Sequence, residues 1–323
     1  MAKRRKRSAQ AGAPGILPVA LGLVALVALA VGIAVALGRS APAPATAPPE
    51  AVDGCRSTPQ FVASVAESPD VALATDGREM GLALRAATGE APAYQHPTWD
   101  DAGYLGAIAY DRQGNVYAAP TPRLSLADNP LDGAATIWRA DTATGEMRPF
   151  VTLPGAASAR NPFGMLGLFY ACDLETLYAG SVLGSMPTEE RGGVVAVHLP
   201  DGGQTVVLEG RDVMGVLLVR QGAGYTLYAG LARSPEVLAL PLDSQGRALG
   251  PATTLLDLTE AGATPQERAR KLRLIGGELV ADLVPFAFSL QANATDTPQI
   301  RRATWFWDAA AGAWSLRQPA QRS

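Results

Sequence analysis

Polar side chains that could bind a ligand or a cation occur in several loops of this 323-residue chain. The strongest candidate is Trp99-Asp100-Asp101, in which an aromatic ring is followed directly by two carboxylates. An indole ring suits the apolar face of a sugar, and carboxylate oxygens are ligands that calcium prefers. Three more candidates lie in other loops: Asn161, Glu190 and Asp212. We predict these six as ligand-binding residues, with no required cofactor and with calcium as the cation that they could hold.

Sequence signatures of familiar catalytic sites are missing from this chain. It contains no G-x-S-x-G elbow, no H-E-x-x-H pair and no phosphate-binding loop. The two histidines, His96 and His198, are far apart in sequence, and the segment around Asp111 and Asn115 is typical of a tight turn. The sequence therefore predicts no catalytic residue.

The elements that must position these loops are recurring β-hairpins. Residues 103–120 read GYLGAIAYDRQGNVYAAP, and looser forms return at 167–181, 215–231 and 272–283. A second hairpin with its own Gly-containing turn follows each of them. Two hairpins make a four-stranded sheet, and a repeat of about 50 residues predicts an all-β fold of the β-propeller type.

The number of blades stays open in the sequence. An earlier hairpin at residues 81–94 brings the second-hairpin turns to five, which favours five blades, and a sixth blade would need residues 61–74 to form a sheet of their own. A β-sandwich is the rival fold, but its strands do not carry a higher repeat of this kind. In a propeller, the loops that enter the inner strands and leave the second strands share one face. We therefore expect the candidate residues to converge at a channel mouth, although a solvated loop charge is the ordinary alternative for each.

Three phrases in the repeats carry a family resemblance: YDRQGNVYAAP, LETLYAGS and YTLYAGL. They resemble the repeats of NHL-type and gluconolactonase-like (SGL) β-propellers across most of residues 60–320. Gluconolactonase-like enzymes hold a divalent cation near the channel mouth with Glu, Asn and Asp side chains. At the positions that match the family's strand-ending Asp, this chain has Pro120, Gly180 and Gly230. The resemblance thus implies the fold and argues against that metal site.

The N-terminal segment predicts a membrane anchor. Residues 1–15 form a basic tail that contains KRRKR, and residues 16–37 form an uncharged run just long enough to cross a bilayer. The positive charges should stay in the cytoplasm, so the propeller at 57–323 is expected on the other side of the cell membrane. A Pro/Ala-rich linker at 38–56 would join the two. A cleaved signal peptide is the alternative, because residues 43–45 resemble a small-residue cleavage site.

The two cysteines and the charge balance add two expectations. Outside the cytoplasm, Cys55 and Cys172 could form a disulfide, and two separate thiols are the alternative. The net charge is −3, and there is no strongly basic balance beyond the N-terminal tail. Nucleic acid is therefore not an expected partner of the main domain.

The preferred functional prediction is a membrane-anchored extracytoplasmic propeller that binds a partner or small ligand through one loop face. This prediction leans against an enzyme, and its expected partners are an envelope protein or a carbohydrate. The first alternative is a divalent-cation-dependent lactonase or hydrolase, in which Asp100, Asp101 and Asp212 would have to meet around the metal. The second alternative is a structural protein of the envelope.

Overall fold

The computed structural model describes residues 47–66, 70–75, 79–86, 92–123, 125–290 and 300–322. The regular structure of these residues is almost entirely β, as predicted. The basic tail and the apolar run at 16–37 lie outside the described residues. Among the residues that are described, no helix is long and apolar enough to cross a bilayer.

Four antiparallel sheets follow one another along the chain, each built from four consecutive strands. The first contains β4 (Leu105–Tyr110), β5 (Val116–Pro120), β6 (Thr136–Ala140) and β7 (Met147–Thr152). The second contains β8 (Met165–Ala171), β9 (Thr176–Ser181), β10 (Gly193–His198) and β11 (Gln204–Glu209). The third contains β12 (Val213–Gln221), β13 (Gly224–Leu231), β14 (Glu236–Leu242) and β15 (Thr253–Asp257). The fourth contains β16 (Glu267–Ile275), β17 (Glu278–Pro285), β18 (Arg301–Asp308) and β19 (Ala313–Arg322).

The first strands of these sheets lie next to one another. Strand β8 contacts β4 and β12, and β12 contacts β16. Because each sheet extends outward from its first strand, this arrangement is the radial one predicted for a β-propeller. The first and second hairpins of each sheet correspond to the repeats recognised in the sequence.

Glycines on the second strands let adjacent sheets approach closely. A Cβ at Gly180 would lie 2.6 Å from the Val216 side chain, and one at Gly230 would lie 2.5 Å from the Ala269 carbonyl oxygen. Both glycines end the Leu-Tyr-Ala-Gly phrase of their repeat. The small residues that replace a metal-binding carboxylate in this phrase therefore serve packing between sheets.

The tyrosines of the same phrase fill the space between the sheets. Tyr178 and Tyr228 are almost completely buried. The Tyr228 hydroxyl accepts a 3.0 Å hydrogen bond from Trp314 Nε1, and burial raises the pKa of Tyr228 to about 12. Burying an aromatic side chain of this kind contributes about 1.5–3 kcal/mol, so the repeat phrase stabilises the fold through its tyrosine as well as its glycine.

A two-stranded sheet precedes the first four-stranded one. It contains β2 (Val71–Ala74) and β3 (Ala83–Ala86), and a short helix, α1 (Gln60–Val65), comes before it. In the described residues 61–66 and 70–74, the segment that could have supplied a sixth blade forms no sheet of its own. The first part of that segment is helical because Phe61 and Val62 bury one face of α1 against the neighbouring core. Strand β2 instead pairs with β3, in the sheet of the hairpin predicted next to it.

The N-terminal segment crosses the ends of the inner strands. Strand β1 (Glu50–Ala51) pairs with β12 on its inner edge, opposite Arg220 and Val219. Cys55 forms a disulfide with Cys172, which follows β8, and the two Cα atoms are 5.8 Å apart. The last residues of the segment predicted as a linker thus pack against the sheets.

Candidate functional site at the channel mouth

Three of the six predicted ligand-binding residues meet at one end of the inner strands. Asp212 directly precedes β12, Asn161 precedes β8, and Glu190 lies in the loop between β9 and β10. The start of an inner strand and the end of its hairpin partner lie at the same edge of a sheet. The propeller topology therefore brings these loops together. Ser185 of the β9–β10 loop and Arg233 of the β13–β14 loop join them. We call these five residues the mouth network.

Asp212 is the centre of the mouth network. Its side chain is fully buried. One carboxylate oxygen accepts hydrogen bonds from the Ser185 hydroxyl and from the Gly192 N–H at 3.0 Å. The other oxygen accepts from Arg233 Nε at 2.6 Å. A buried carboxylate needs such a set of donors, so Asp212 is a fixed negative charge in a satisfied environment.

Glu190 is the carboxylate of the mouth network that meets solvent. Its side chain is 21% exposed, and one oxygen accepts a 2.6 Å hydrogen bond from the Asp212 backbone N–H. The other oxygen lies 3.5 Å from the Arg211 guanidinium, which is more exposed. Glu190 is thus held beside Asp212 while part of its carboxylate stays accessible.

Asn161 fixes the shape of the loops rather than facing solvent. It is fully buried, and its amide donates to the carbonyl oxygens of Val182 at 2.7 Å and Ser185 at 3.2 Å. Its side-chain oxygen accepts from the Phe163 N–H at 3.3 Å. Because it holds the Ser185 loop, Asn161 acts on the site through Ser185.

Arginines that the sequence reasoning did not single out hold the network together. Arg233 donates to Asp212 and to three backbone carbonyl oxygens of the β9–β10 loop, at 2.6–3.2 Å. Arg268 is buried and donates to the carbonyl oxygens of Ala232 and Arg233. Burial lowers the pKa of Arg268. The signal that could have found Arg233 is its position just after the Leu-Tyr-Ala-Gly strand, but a single arginine there predicts no partner.

An aromatic strip lies beside the mouth network. Phe163, Phe286 and Phe288 pack edge to face, with ring centroids 5.3 and 5.2 Å apart. The Arg233 guanidinium lies 4.6 Å from the centre of the Phe288 ring, which is half-buried. The mouth thus combines an apolar surface with a few fixed polar groups, as ligand sites commonly do.

The other three predicted ligand-binding residues do not join this network. Trp99 is fully buried, its Nε1 donates to the Gly145 carbonyl oxygen at 2.8 Å, and its ring packs against Phe61 of α1. It is therefore a core residue and cannot face a ligand. Asp100 and Asp101 are exposed on a 3₁₀ helix, Asp100–Ala102.

A calcium site built from these carboxylates is not formed. Asp212 already binds Ser185, Gly192 and Arg233, while Asp100 and Asp101 stand on their own helix. In the ranges that the structure describes, no group of three or more His, Cys, Asp or Glu side chains could hold a metal ion.

The turn residues and histidines have structural roles. Asp111 is buried and accepts from the Asn115 N–H and amide at 2.9 and 2.8 Å, which closes the β4–β5 turn. His198 pairs with Asp201 in an exposed turn, and His96 packs near Trp99.

Known proteins resemble this chain in fold. No protein-family model and no curated protein sequence matches it. Similar solved structures include an endo-arabinase from Bacteroides thetaiotaomicron, with 12% identity, a TM-score of 0.40 and coverage of 68% of this chain and 81% of that one. A GH43 protein from Bacillus licheniformis has 14% identity, a TM-score of 0.42 and coverage of 69% and 43%. An exo-β-1,3-galactanase from Phanerochaete chrysosporium, solved with galactotriose, has 10% identity, a TM-score of 0.43 and coverage of 74% and 56%.

These comparisons correct two expectations and narrow a third. The expected non-enzymatic binder is not retained, because the similar structures include an arabinase and a galactanase, which are enzymes. The leaning against an enzyme is corrected on the same ground. Without a matching family model, the resemblance to NHL-type and gluconolactonase-like proteins holds for the β-propeller type of fold. At these identities the likeness is one of fold, so activity has to be argued from this chain's own residues.

Proposed function

We propose that this chain is a carbohydrate-active enzyme that hydrolyses a glycosidic bond at the channel mouth. The observation that carries this proposal is the position of Glu190. It is a partly exposed carboxylate, hydrogen-bonded to the backbone of a buried aspartate at the place where three loops and an aromatic strip meet. The underlying fold is taken as a five-bladed propeller, with the β2–β3 sheet as the first blade.

Glu190 is assigned the role of general acid and base. As the acid it gives a proton to the leaving sugar oxygen while the bond from that oxygen to the anomeric carbon breaks. Water then adds to the anomeric carbon and returns its proton to Glu190.

Asp212 is a positioning residue in this scheme. It is fully buried, so it cannot touch a sugar, but its backbone N–H holds one oxygen of Glu190 at 2.6 Å. The aromatic strip supports the assignment of a sugar as the ligand, because an aromatic face packs well against the apolar face of a sugar ring. The polar groups beside it supply hydrogen bonds to hydroxyls.

The test is hydrolysis of a panel of polysaccharides and aryl glycosides by the purified full-length chain, measured as released reducing ends. Glu190→Gln should lower kcat by about 100-fold or more, since it removes the proton donor but keeps the shape. The matched control is Glu189→Gln. Glu189 is exposed, and its carboxylate contacts the Arg191 side chain rather than Asp212. Full activity of Glu190→Gln, or no hydrolysis of the panel by the unaltered chain, would contradict the proposal.

The proposed location of the domain is outside the cytoplasm, behind a membrane anchor at residues 16–37. The disulfide between Cys55 and Cys172 supports this location, because disulfides persist mainly in oxidising compartments. Protease added to intact cells should digest the propeller and spare the basic tail. Digestion that begins only after the cells are lysed would contradict this location.

A further inference from the structure

A second group of charged residues lies on the inner strand β16. This strand reads ERARKLRLI and is the innermost strand of its sheet. One edge pairs with β17, and the other side approaches β12 so closely that a Cβ at Gly215 would lie 2.5 Å from the Ala269 carbonyl oxygen. The strand thus lies between β17 and β12 and carries several positive charges.

A β-bulge sets the direction of two of these charges. Ala269 pairs with Leu283 and Lys271 pairs with Asp282, which leaves Arg270 as the extra residue. Bulges commonly re-aim a side chain in this way. Arg270 and Lys271 are both exposed, although Ala269 before them and Leu272 after them are buried.

Among the described residues, neither of these two side chains has a partner. Within the residues that the structure describes, no group accepts a hydrogen bond from Arg270 or Lys271 and no carboxylate pairs with them. Asp282 faces Lys271 across the ladder but already accepts from Arg273 at 2.7 Å and Arg302 at 2.9 Å.

The surroundings of the two side chains are internal rather than external. Water reaches both, yet burial lowers the pKa of Arg270, and it is also the main cause of a lowered pKa at Lys271. Because β16 is an inner strand that pairs with β17 and packs against β12, the two solvated side chains face a space that the inner strands border. The charges of Arg273, Arg56 and Arg270 lower the pKa of Lys271 further, and Asp282 opposes them.

Arg56 brings another positive charge to this space from the N-terminal segment. It binds Asp53 at 2.8 Å and the Tyr170 carbonyl oxygen at 3.1 Å. In the described part of the chain, Arg56 Nε and Arg273 Nε are buried without a hydrogen-bond partner. Buried donors of this kind are rare in folded proteins and call for an explanation.

We propose that Arg270 and Lys271, supported by Arg56 and Arg273, form an internal site for an oxyanion, that is, a carboxylate or phosphate group of a small ligand. The free donors of Arg270 and Lys271 match the acceptor oxygens of such a group, and charge-assisted hydrogen bonds are the strong ones. Arg56 and Arg273 add positive charge beside them. An anion would also relieve the repulsion between cations that share a poorly solvated space. This site is separate from the chemistry proposed at the mouth and stands if that proposal fails.

The test is a thermal unfolding series on the full-length chain with sodium phosphate, sodium sulfate or sodium galacturonate, against sodium chloride at matched ionic strength. The melting temperature should rise by several degrees with at least one oxyanion, because a ligand that binds the folded state stabilises it. The double variant Arg270→Gln/Lys271→Gln should lose this rise. A rise with phosphate alone assigns a phosphate group, and a rise with galacturonate alone assigns a carboxylate.

The matched control is Arg148→Gln, which removes an exposed arginine paired with Glu146 on the outermost strand of another sheet. It should keep the full rise in melting temperature. If the double variant does not fold, the single variant Lys271→Gln takes its place and should keep less than half of the rise. An equal rise in the altered and unaltered chains, or no rise with any of the three oxyanions, would overturn the proposal.

Discussion

Arginines occupy both the mouth network and the inner strand β16, but the two regions satisfy their charges differently. At the mouth, Arg233 binds the Asp212 carboxylate and three carbonyl oxygens. On β16, Arg270 and Lys271 have no partner among the described residues, and Asp282 is shared by two other arginines. A saturated network holds its members in one geometry, whereas unpartnered donors are free to bind a ligand. The mouth is therefore built to position Glu190, and the inner strand is built to receive an anion.

The largest expected effect comes from breaking the saturated region at its centre. Asp212→Ala should destabilise the fold by about 3 kcal/mol, because it leaves buried donors and the Arg233 charge without their acceptor. The cost stays at the low end because Arg233 is 24% exposed and can turn to water. Chemical denaturation measures the change. Asp243→Asn, at an exposed turn with Arg247, is the control and should cost much less. Equal costs for both variants would contradict a special role for Asp212.

The next effect concerns the segment that carries Arg56 to the inner space. Replacing Cys55 and Cys172 together by serine should lower stability by about 2–5 kcal/mol, since the disulfide closes a long loop with a sequence separation of 117. The oxyanion-dependent rise in melting temperature should fall as well, because Arg56 would no longer be held next to β16. The unaltered chain in a strong thiol reductant should behave like the double variant. An unchanged unfolding midpoint in either case would contradict this role of the disulfide.

A smaller effect tests the close approach of β12 and β13 to β16. Gly230→Ala places a methyl group 2.5 Å from the Ala269 carbonyl oxygen, so the strand must move, at a cost of about 1–3 kcal/mol. Displacing Ala269 also displaces the bulge at Arg270, and oxyanion binding should weaken. Gly250→Ala is the control, because a methyl group there would meet open space. A destabilisation no greater than that of the control would show that the sheets are less tightly packed than described.

The smallest effect is a pH dependence of the unpartnered region. Because the folded state lowers the pKa of Lys271, the unfolded chain binds more protons between that lowered value and 10.5. Stability should therefore rise with pH in that window as Lys271 loses its charge beside Arg273, Arg56 and Arg270. The rise is measured in chloride as the unfolding free energy of the unaltered chain minus that of Lys271→Gln. Other titrating groups are common to both proteins and cancel in this difference. A constant difference across the window would show that burial and the neighbouring positive charges do not lower the pKa of Lys271 in the folded state.

The hairpins and the shared face of the loops could be read from the sequence, because local turn and strand patterns define them. From the shared face, the sequence predicted that the loops carrying Asn161, Glu190 and Asp212 lie close together. It placed Trp99 at the mouth wrongly, since the helix that buries it lies about 40 residues earlier. Arg233 was missed because its acceptors come from another loop, and no local pattern announces such a contact.

The hairpin that contains β16 was recognised at 272–283, but the charged group at Arg270 and Lys271 was missed for a different reason. In the sequence, β16 reads as an ordinary alternating strand with charges on its solvent side. The bulge at Arg270 breaks that alternation. In addition, the edge of β16 that does not pair with β17 lies beside β12 rather than in open solvent. The bulge depends on the register of β16 against β17, and the position of β16 depends on packing between sheets, so residue types alone could not reveal them.

Crystals of the full-length chain soaked in selenate would test the contrast between the two regions most directly. Selenate is an oxyanion whose selenium can be located by anomalous scattering. The account predicts an anomalous peak within hydrogen-bond distance of both Arg270 and Lys271, and none beside the saturated Arg233 at the mouth. A peak at Arg233 with none at Arg270 and Lys271 would contradict the assignment of the two regions.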